Sequence, residues 1–343
     1  MELSTGSKAF LAVVVAVAVL VGGGLVVLDQ AGTTSGTAQG RPISVEIPQG
    51  LGASGVADLL ADEGVIGSPM VFTLVSRFDD RAARIKPGVY QLRAGMSTRE
   101  LLGVLSTGPP RPATFRVTIP EGLTVDQTLE RIANAPHSPF TVEQLEAALD
   151  RVQVPSWVPV QTLPADSEVF EGLLFPETYE FRVDSDAQDV LARLVAQTER
   201  VVAAVELPDG LDRYELLTLG SLIEREARVP DERPLISAVI HNRLAADMAL
   251  QVDATVLYAL GAHKERVLSK DTAVDSPWNT YEILGLPPTP ISGAGRAAIE
   301  AAANPAPEDY LYYVVSDPRT GAHAFARSLA EHNDNVRRYR QNR

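Results

Sequence analysis

The first pattern along the chain is a run without a single charge, Ala9 to Leu28, 20 residues long. That is the length a helix needs to cross the hydrocarbon core of a bilayer. The next stretch, residues 29–40, is rich in Gly, Thr and Ser and lacks apolar periodicity, so a flexible tether is expected. From Arg41 onward short alternating runs give way to helical periodicity, and the pattern repeats. Val45-Glu46-Ile47-Pro48-Gln49-Gly50-Leu51 is echoed 72 residues later by Val117-Thr118-Ile119-Pro120-Glu121-Gly122-Leu123. Each run ends in a Pro-x-Gly turn and leads into a helical pattern, Ala53 to Glu63 and Val125 to Ala133. A Tyr-bearing strand and a further helix follow in both: Gly88 to Leu92 before Ser97 to Leu105, and Thr178 to Phe181 before Ala187 to Val202. The order β, α, β, α is therefore expected twice.

Gly108-Pro109-Pro110-Arg111-Pro112 can continue neither a helix nor a central strand, which places a linker there. New helical patterns cover Tyr214 to Ala227 and Arg233 to Leu244. Tyr310 to Val315 reads as a strand and Leu329 to Tyr339 as a polar helix. The expected class is α+β. The expected organisation is a tail at 1–8, a transmembrane helix at 9–28, a linker at 29–40, and folded regions at 41–108, 114–205 and 206–343.

Charge and composition narrow the function. A formal net charge of −14 leaves no basic footprint for a nucleic-acid partner. With no cysteine in the chain, disulfides, thiolate metal sites, a thiol nucleophile and a lipidated cysteine are all excluded. The apolar run could be a cleavable signal, but signal h-regions are shorter and the small-x-small cleavage pattern is poor, so a retained anchor is expected. Lys8 precedes the run and no Lys or Arg follows before Arg41, which favours a cytoplasmic N-terminus and an extracytoplasmic bulk. The five histidines are scattered without metal-ligand spacing, and no metal or cofactor is expected. His241, beside Asn242 and Arg243, is the one that could matter.

Candidate chemistry concentrates between Gly220 and Ile291. In Ser221-Leu222-Ile223-Glu224-Arg225-Glu226-Ala227 an acid stands among apolar residues. Helical spacing puts Gly220 and Ala227 on its face, leaving room for a ligand, and Leu217 beside it. Desolvation would raise the Glu224 carboxyl toward the range of a general acid. Alternatively, Glu224 is an ordinary helix carboxylate paired with Arg228, and Glu226 is a structural pair or cap. Leu250 to Thr255 alternates, so an extended reading puts Gln251, Asp253 and Thr255 on one face able to hold sugar hydroxyls. The other reading has Asp253 or Thr255 capping a helix, Val256 to Leu260, ended by Gly261. Ser276 to Tyr281 and Gly285 to Ile291 combine aromatic planes, amides and prolines, the make-up of a carbohydrate cleft or of a buried structural loop.

These segments resemble the endolytic murein transglycosylase family, also called YceG-like or MltG-type. The match is densest at Glu171-Gly172-Leu173-Leu174-Phe175-Pro176-Glu177-Thr178-Tyr179, Ile223-Glu224-Arg225-Glu226-Ala227, His241-Asn242-Arg243-Leu244, Leu250 to Thr255, Asn279-Thr280-Tyr281 and Gly285-Leu286-Pro287-Pro288. The family's catalytic glutamate is the first of its Ile-Glu-x-Glu motif, which falls on Glu224. Ala254 stands where the family usually has Pro, Asp247 and Thr289 where it has Gly, and Gly293-Ala294 where it has Asn-Pro. The resemblance implies a transmembrane helix, a LysM-like α/β region and a mixed α+β catalytic domain with a helix-borne acid. It implies cleavage of the β-1,4 bond between N-acetylmuramic acid and N-acetylglucosamine, with Gln251, Asp253, Thr255, Asn279, Thr280 and Tyr281 as candidates for binding the sugar. Peptidoglycan strands, the membrane and cell-wall synthesis proteins are the implied partners. A hydrolytic muramidase using Asp253 as base and a non-catalytic glycan-binding scaffold stay open as alternatives.

Overall fold

The structure, a computed structural model, describes residues 40–110, 113–261, 267, 268 and 270–341. The expected cytoplasmic tail and membrane span, and all but the last residue of the tether, lie outside the described residues. Among the described residues no helix is long and apolar enough to cross a membrane. The chain forms two compact units, parted after Pro112.

In the first unit, strand β1 (Pro42–Ile47) pairs antiparallel with β2 (Gly88–Arg93), Val45 opposite Tyr90. Alternation turns Val45, Ile47, Tyr90 and Leu92 inward. Between the strands run helix α1 (Ala53–Asp62) and helix α2 (Pro69–Ser76). The second was not expected, because eight residues of almost continuous apolar sequence show little helical period. Its start is nonetheless marked, with Ser68 accepting from the Val71 N–H and Pro69 in the first turn. Helix α3 (Thr98–Thr107), opened by a Ser97–Glu100 capping box, closes the unit over Leu60, Phe72 and Tyr90.

The second unit begins with the same order. Strand β3 (Thr114–Thr118) pairs antiparallel with β4 (Thr178–Arg182), Val117 opposite Tyr179, and helices α4 (Val125–Ala133) and α5 (Val142–Leu149) lie between them in sequence. Helix α6 (Ala187–Ala203) follows. Both units thus read β-α-α-β-α rather than the expected β, α, β, α. Even the tyrosines act alike: Tyr90 and Tyr179 each donate to the carbonyl four residues upstream, Lys86 O at 2.7 Å and Phe175 O at 2.9 Å.

The chain continues through α7 (Arg213–Glu226), α8 (Arg233–Ala245), α9 (Asp253–Ala259), α10 (Arg296–Ala303), the antiparallel pair β5 (Tyr312–Asp317) and β6 (Ala322–Ala326), and α11 (Leu329–Gln341). The boundary expected between residues 205 and 206 does not divide a core. One cluster runs from Phe115 on β3 through Leu191 and Leu217 to Ile299 on α10, so burial ties the echo region to the helices that follow it.

Candidate active site

Glu224 lies in the last turn of α7, which ends at Ala227 with the backbone turned extended. A short 3-10 turn, Pro230–Glu232, then returns the chain so that α8 opens with Arg233. Glu232 is tied to β6, accepting from the His323 N–H at 2.9 Å, with the ring Nδ1 2.7 Å from its other oxygen. Helix, turn and tether bring Arg233 Nη2 to 3.6 Å from Glu224 Oε1. From another direction the Gly295 N–H, at the start of α10, donates to Glu224 Oε2 at 3.1 Å. The Glu224 side chain is 8% exposed. Burial pushes its carboxyl above the ordinary range and the negative charge of Glu121 adds to this, while the Gly295 N–H and Arg233 oppose it.

The alternative pairing of Glu224 with Arg228 is not found among the described residues, where the cation beside Glu224 is Arg233. Gly220 does not leave room for a ligand. An added Cβ there would lie 3.2 Å from Ile299 Cγ1 and 3.6 Å from the Ala294 methyl, so this glycine lets α7 and α10 approach each other. Glu226 faces elsewhere: the Tyr313 hydroxyl donates to it at 3.0 Å, and burial raises its carboxyl too. Its surroundings on β5 fit the structural role.

The downstream candidates divide. Helix α9 starts at Asp253, so the extended reading of Leu250 to Thr255 is corrected. Helical turns point Asp253 and Thr255 apart, and the N-cap position belongs to Val252, so neither of them occupies it. Thr255, Asn279 and Thr280 are each 0% exposed and cannot meet a sugar directly. Thr280 accepts from the Val252 N–H at 2.9 Å and bonds the Thr255 hydroxyl at 2.9 Å, while Asn279 donates to Thr272 O and Val274 O. They fix the loop and so carry α9. Gln251 and Asp253 are exposed, and the Tyr281 hydroxyl donates to Asp253 Oδ1 at 2.6 Å. Asn242 and Arg243 are also structural, donating to the carbonyls of Glu308, Tyr310, Leu311 and Leu250, and the His241 ring sits 2.8 Å from Ala302 O.

Two departures from the family pattern have a visible consequence. Asp247 has φ +49°, a left-handed conformation that glycine adopts more readily. Thr289, in the other glycine position, is buried and accepts from the Trp278 indole N–H at 2.8 Å.

Sequence reasoning missed Glu121. It sits on the turn between β3 and α4, with Oε2 4.0 Å from Arg233 Nη2. The turn is held by three hydrogen bonds: Gly122 N–H to Gly293 O, Gly293 N–H to Leu123 O, and Arg225 Nη1 to Gly122 O. The available signal was the echo itself, in which Glu121 replaces Gln49. A cavity of about 840 Å³ adjoins the site, with Arg225, Trp278, Tyr258 and Glu171 on its wall, although Glu224 does not line it. Glu171 is 2% exposed, and burial pushes its carboxyl up to about 8. Among the described residues no group of three or more His, Asp or Glu side chains could hold a metal ion.

The arrangement is a buried carboxyl raised above its ordinary range, with a cation and a helix N-terminus to steady its ionised form, which suits a group that gives and takes back one proton. Comparison with known proteins agrees with the sequence resemblance. The model of the YceG-like family matches residues 45–338. The endolytic murein transglycosylase of Bacillus subtilis is 34% identical over 310 residues, 87% of this chain and 84% of that one. The enzyme of the same name from Streptococcus pneumoniae serotype 2 is 30% identical over 319 residues, 86% of this chain and 58% of that one. The crystal structure of a yceG-like protein from Listeria monocytogenes superposes with a TM-score of 0.54 at 34% identity, covering 86% of this chain and 99% of that one. The chain belongs to the YceG-like family.

Proposed function

We propose that this chain is a peptidoglycan lytic transglycosylase that cuts glycan strands internally, with Glu224 as its single acid and base. The observation that carries the reading is the Glu224 carboxyl itself, buried, raised above its ordinary range and bracketed by the Gly295 N–H and Arg233. Protonated Glu224 gives its proton to the glycosidic oxygen between N-acetylmuramic acid and N-acetylglucosamine. As the carboxylate, steadied by Arg233 and the Gly295 N–H, it takes the proton of the muramyl 6-hydroxyl, whose oxygen closes onto C1. Because the nucleophile belongs to the substrate, the second step is intramolecular and needs no activated water. A 1,6-anhydromuramyl end results. Gln251, Asp253 and Tyr281, exposed or half-buried beyond the fixed loop, are the residues proposed to orient the sugar.

Around this chemistry, Ala9 to Leu28 is proposed as a single membrane anchor with the N-terminus inside, which puts the enzyme where nascent strands emerge. Cell-wall synthesis proteins are the partners this location suggests, and trimming or ending strand growth the outcome. The β-α-α-β order of the first unit supports a LysM-like reading of residues 41–108. Mass spectrometry of the cleavage products tests the reaction. Internal fragments ending in 1,6-anhydromuramic acid are expected; reducing ends would mean a hydrolase, and intact strands a binding scaffold.

A further inference from the structure

We propose that Glu121 is a positioning residue of the reaction, which together with Arg233 forms a charged bracket around Glu224 and sets the pH at which that acid holds its proton. The inference rests on the reading of Glu224 as the catalytic acid. Three observations point the same way. Arg233 Nη2 stands 3.6 Å from a Glu224 oxygen and 4.0 Å from a Glu121 oxygen, so one guanidinium serves two carboxyls. Gly295, whose N–H donates to Glu224, has no side chain where one would collide with Glu121: a Cβ there would lie 1.8 Å from Glu121 Oε1. The turn that carries Glu121 is anchored by Arg225, the residue next to Glu224, through Gly122 O at 3.0 Å.

The groups facing Glu224 are few, so the sign can be worked out. Glu121 comes from the turn before α4, Arg233 from α8 and the Gly295 N–H from α10. On α7 itself Arg225 turns to Gly122 O and Glu226 to Tyr313. A negative charge beside a carboxyl favours its protonated form, and a positive charge favours the ionised form. Burial favours the protonated form of Glu224, and Arg233 and the Gly295 N–H oppose it. Glu121 shares that guanidinium and adds its own charge, so the acid keeps its proton to higher pH, as its first step requires.

The test is kcat/KM against pH for the full detergent-solubilised chain on isolated glycan strands, comparing wild type with Glu121→Gln, Glu121→Asp and Arg233→Gln. The alkaline limb reports loss of the proton from the acid of the free enzyme. Glu121→Gln is expected to move that limb to lower pH, Glu121→Asp to return it toward wild type, and Arg233→Gln to move it to higher pH. Gly295→Ala, which displaces the Glu121 carboxyl without removing it, is expected to move the limb in the same direction as Glu121→Gln, and serves if that variant does not fold. A limb that stays with wild type in both Glu121→Gln and Gly295→Ala overturns the proposal. So does loss of activity at every pH in Glu121→Gln, which would make Glu121 a participant in bond breaking. Failure of the underlying reading looks different, because Glu224→Gln would then cleave at the wild-type rate.

Discussion

The two β-α-α-β-α regions share a strand pairing, a tyrosine that ties strand to loop, and a Pro-x-Gly turn before the first helix, yet their turns have different surroundings. Gly50, at φ +83°, is exposed and has no atom within 4 Å of where a Cβ would stand. Gly122, at φ +80°, has almost the same backbone but is buried, with its N–H on Gly293 O and its carbonyl held by Arg225. The residue before it changes from Gln49 to Glu121, which lies by Arg233. One supersecondary unit therefore serves two ends. In the second region the turn becomes part of the wall around Glu224, and this is set by what packs against the turn and not by its own conformation.

Matched substitutions can break this contrast. The largest effect is expected in the cores, where Leu60 on α1 and Ile132 on α4 occupy corresponding positions and are both 0% exposed. Leu60→Ala and Ile132→Ala should each cost about 2–5 kcal/mol. Hydrogen exchange should show protection lost within the first unit for the former, and around β3 and α4 for the latter, with cleavage reduced only by the latter. Loss of protection in both units from either change would mean they do not fold as separate bodies.

A smaller effect separates the turns. Gly50→Ala and Gly122→Ala should each lose roughly 1–2 kcal/mol from forcing an L-residue into a left-handed conformation, read as a shift in the urea midpoint. Only Gly122→Ala should also lower the cleavage rate, because its turn carries Glu121. Equal rates would leave the turn without a part in the site.

Much of the fold can be read from pattern. Helix α4 is expected at Val125 to Ala133 and found there, and α1, α7 and α8 agree to within one or two residues. The capping boxes that open α4 (Thr124–Gln127) and α7 (Asp212–Glu215), and the apolar period of α4, are local signals. What pattern does not reveal is short or distant. Helices α2 and α5 have eight residues each, too few for a period to stand out. Asp253 begins a helix where alternation suggested a strand, because the Thr280 carbonyl and hydroxyl hold the residues before it, Gln251 and Val252, from 28 or more residues away. The same limit applies to the site. Glu224 is legible through the resemblance, but Glu121 and Arg233 reach it from other elements, and the bond that anchors the Glu121 turn spans 103 residues.

The central claim is that Glu224, and not its neighbour two residues on, moves the proton. The direct measurement is the cleavage rate of Glu224→Gln beside that of Glu226→Gln, on the same strands and with both folds checked by circular dichroism. Each change keeps the shape of the side chain and removes its titratable proton. The account predicts that Glu224→Gln loses roughly 10²–10⁴-fold in kcat, the usual worth of a general acid and base, and that Glu226→Gln loses far less, since Tyr313 can still meet its amide oxygen. A folded Glu224→Gln protein that cleaves at the wild-type rate, or a larger loss in Glu226→Gln, would contradict it.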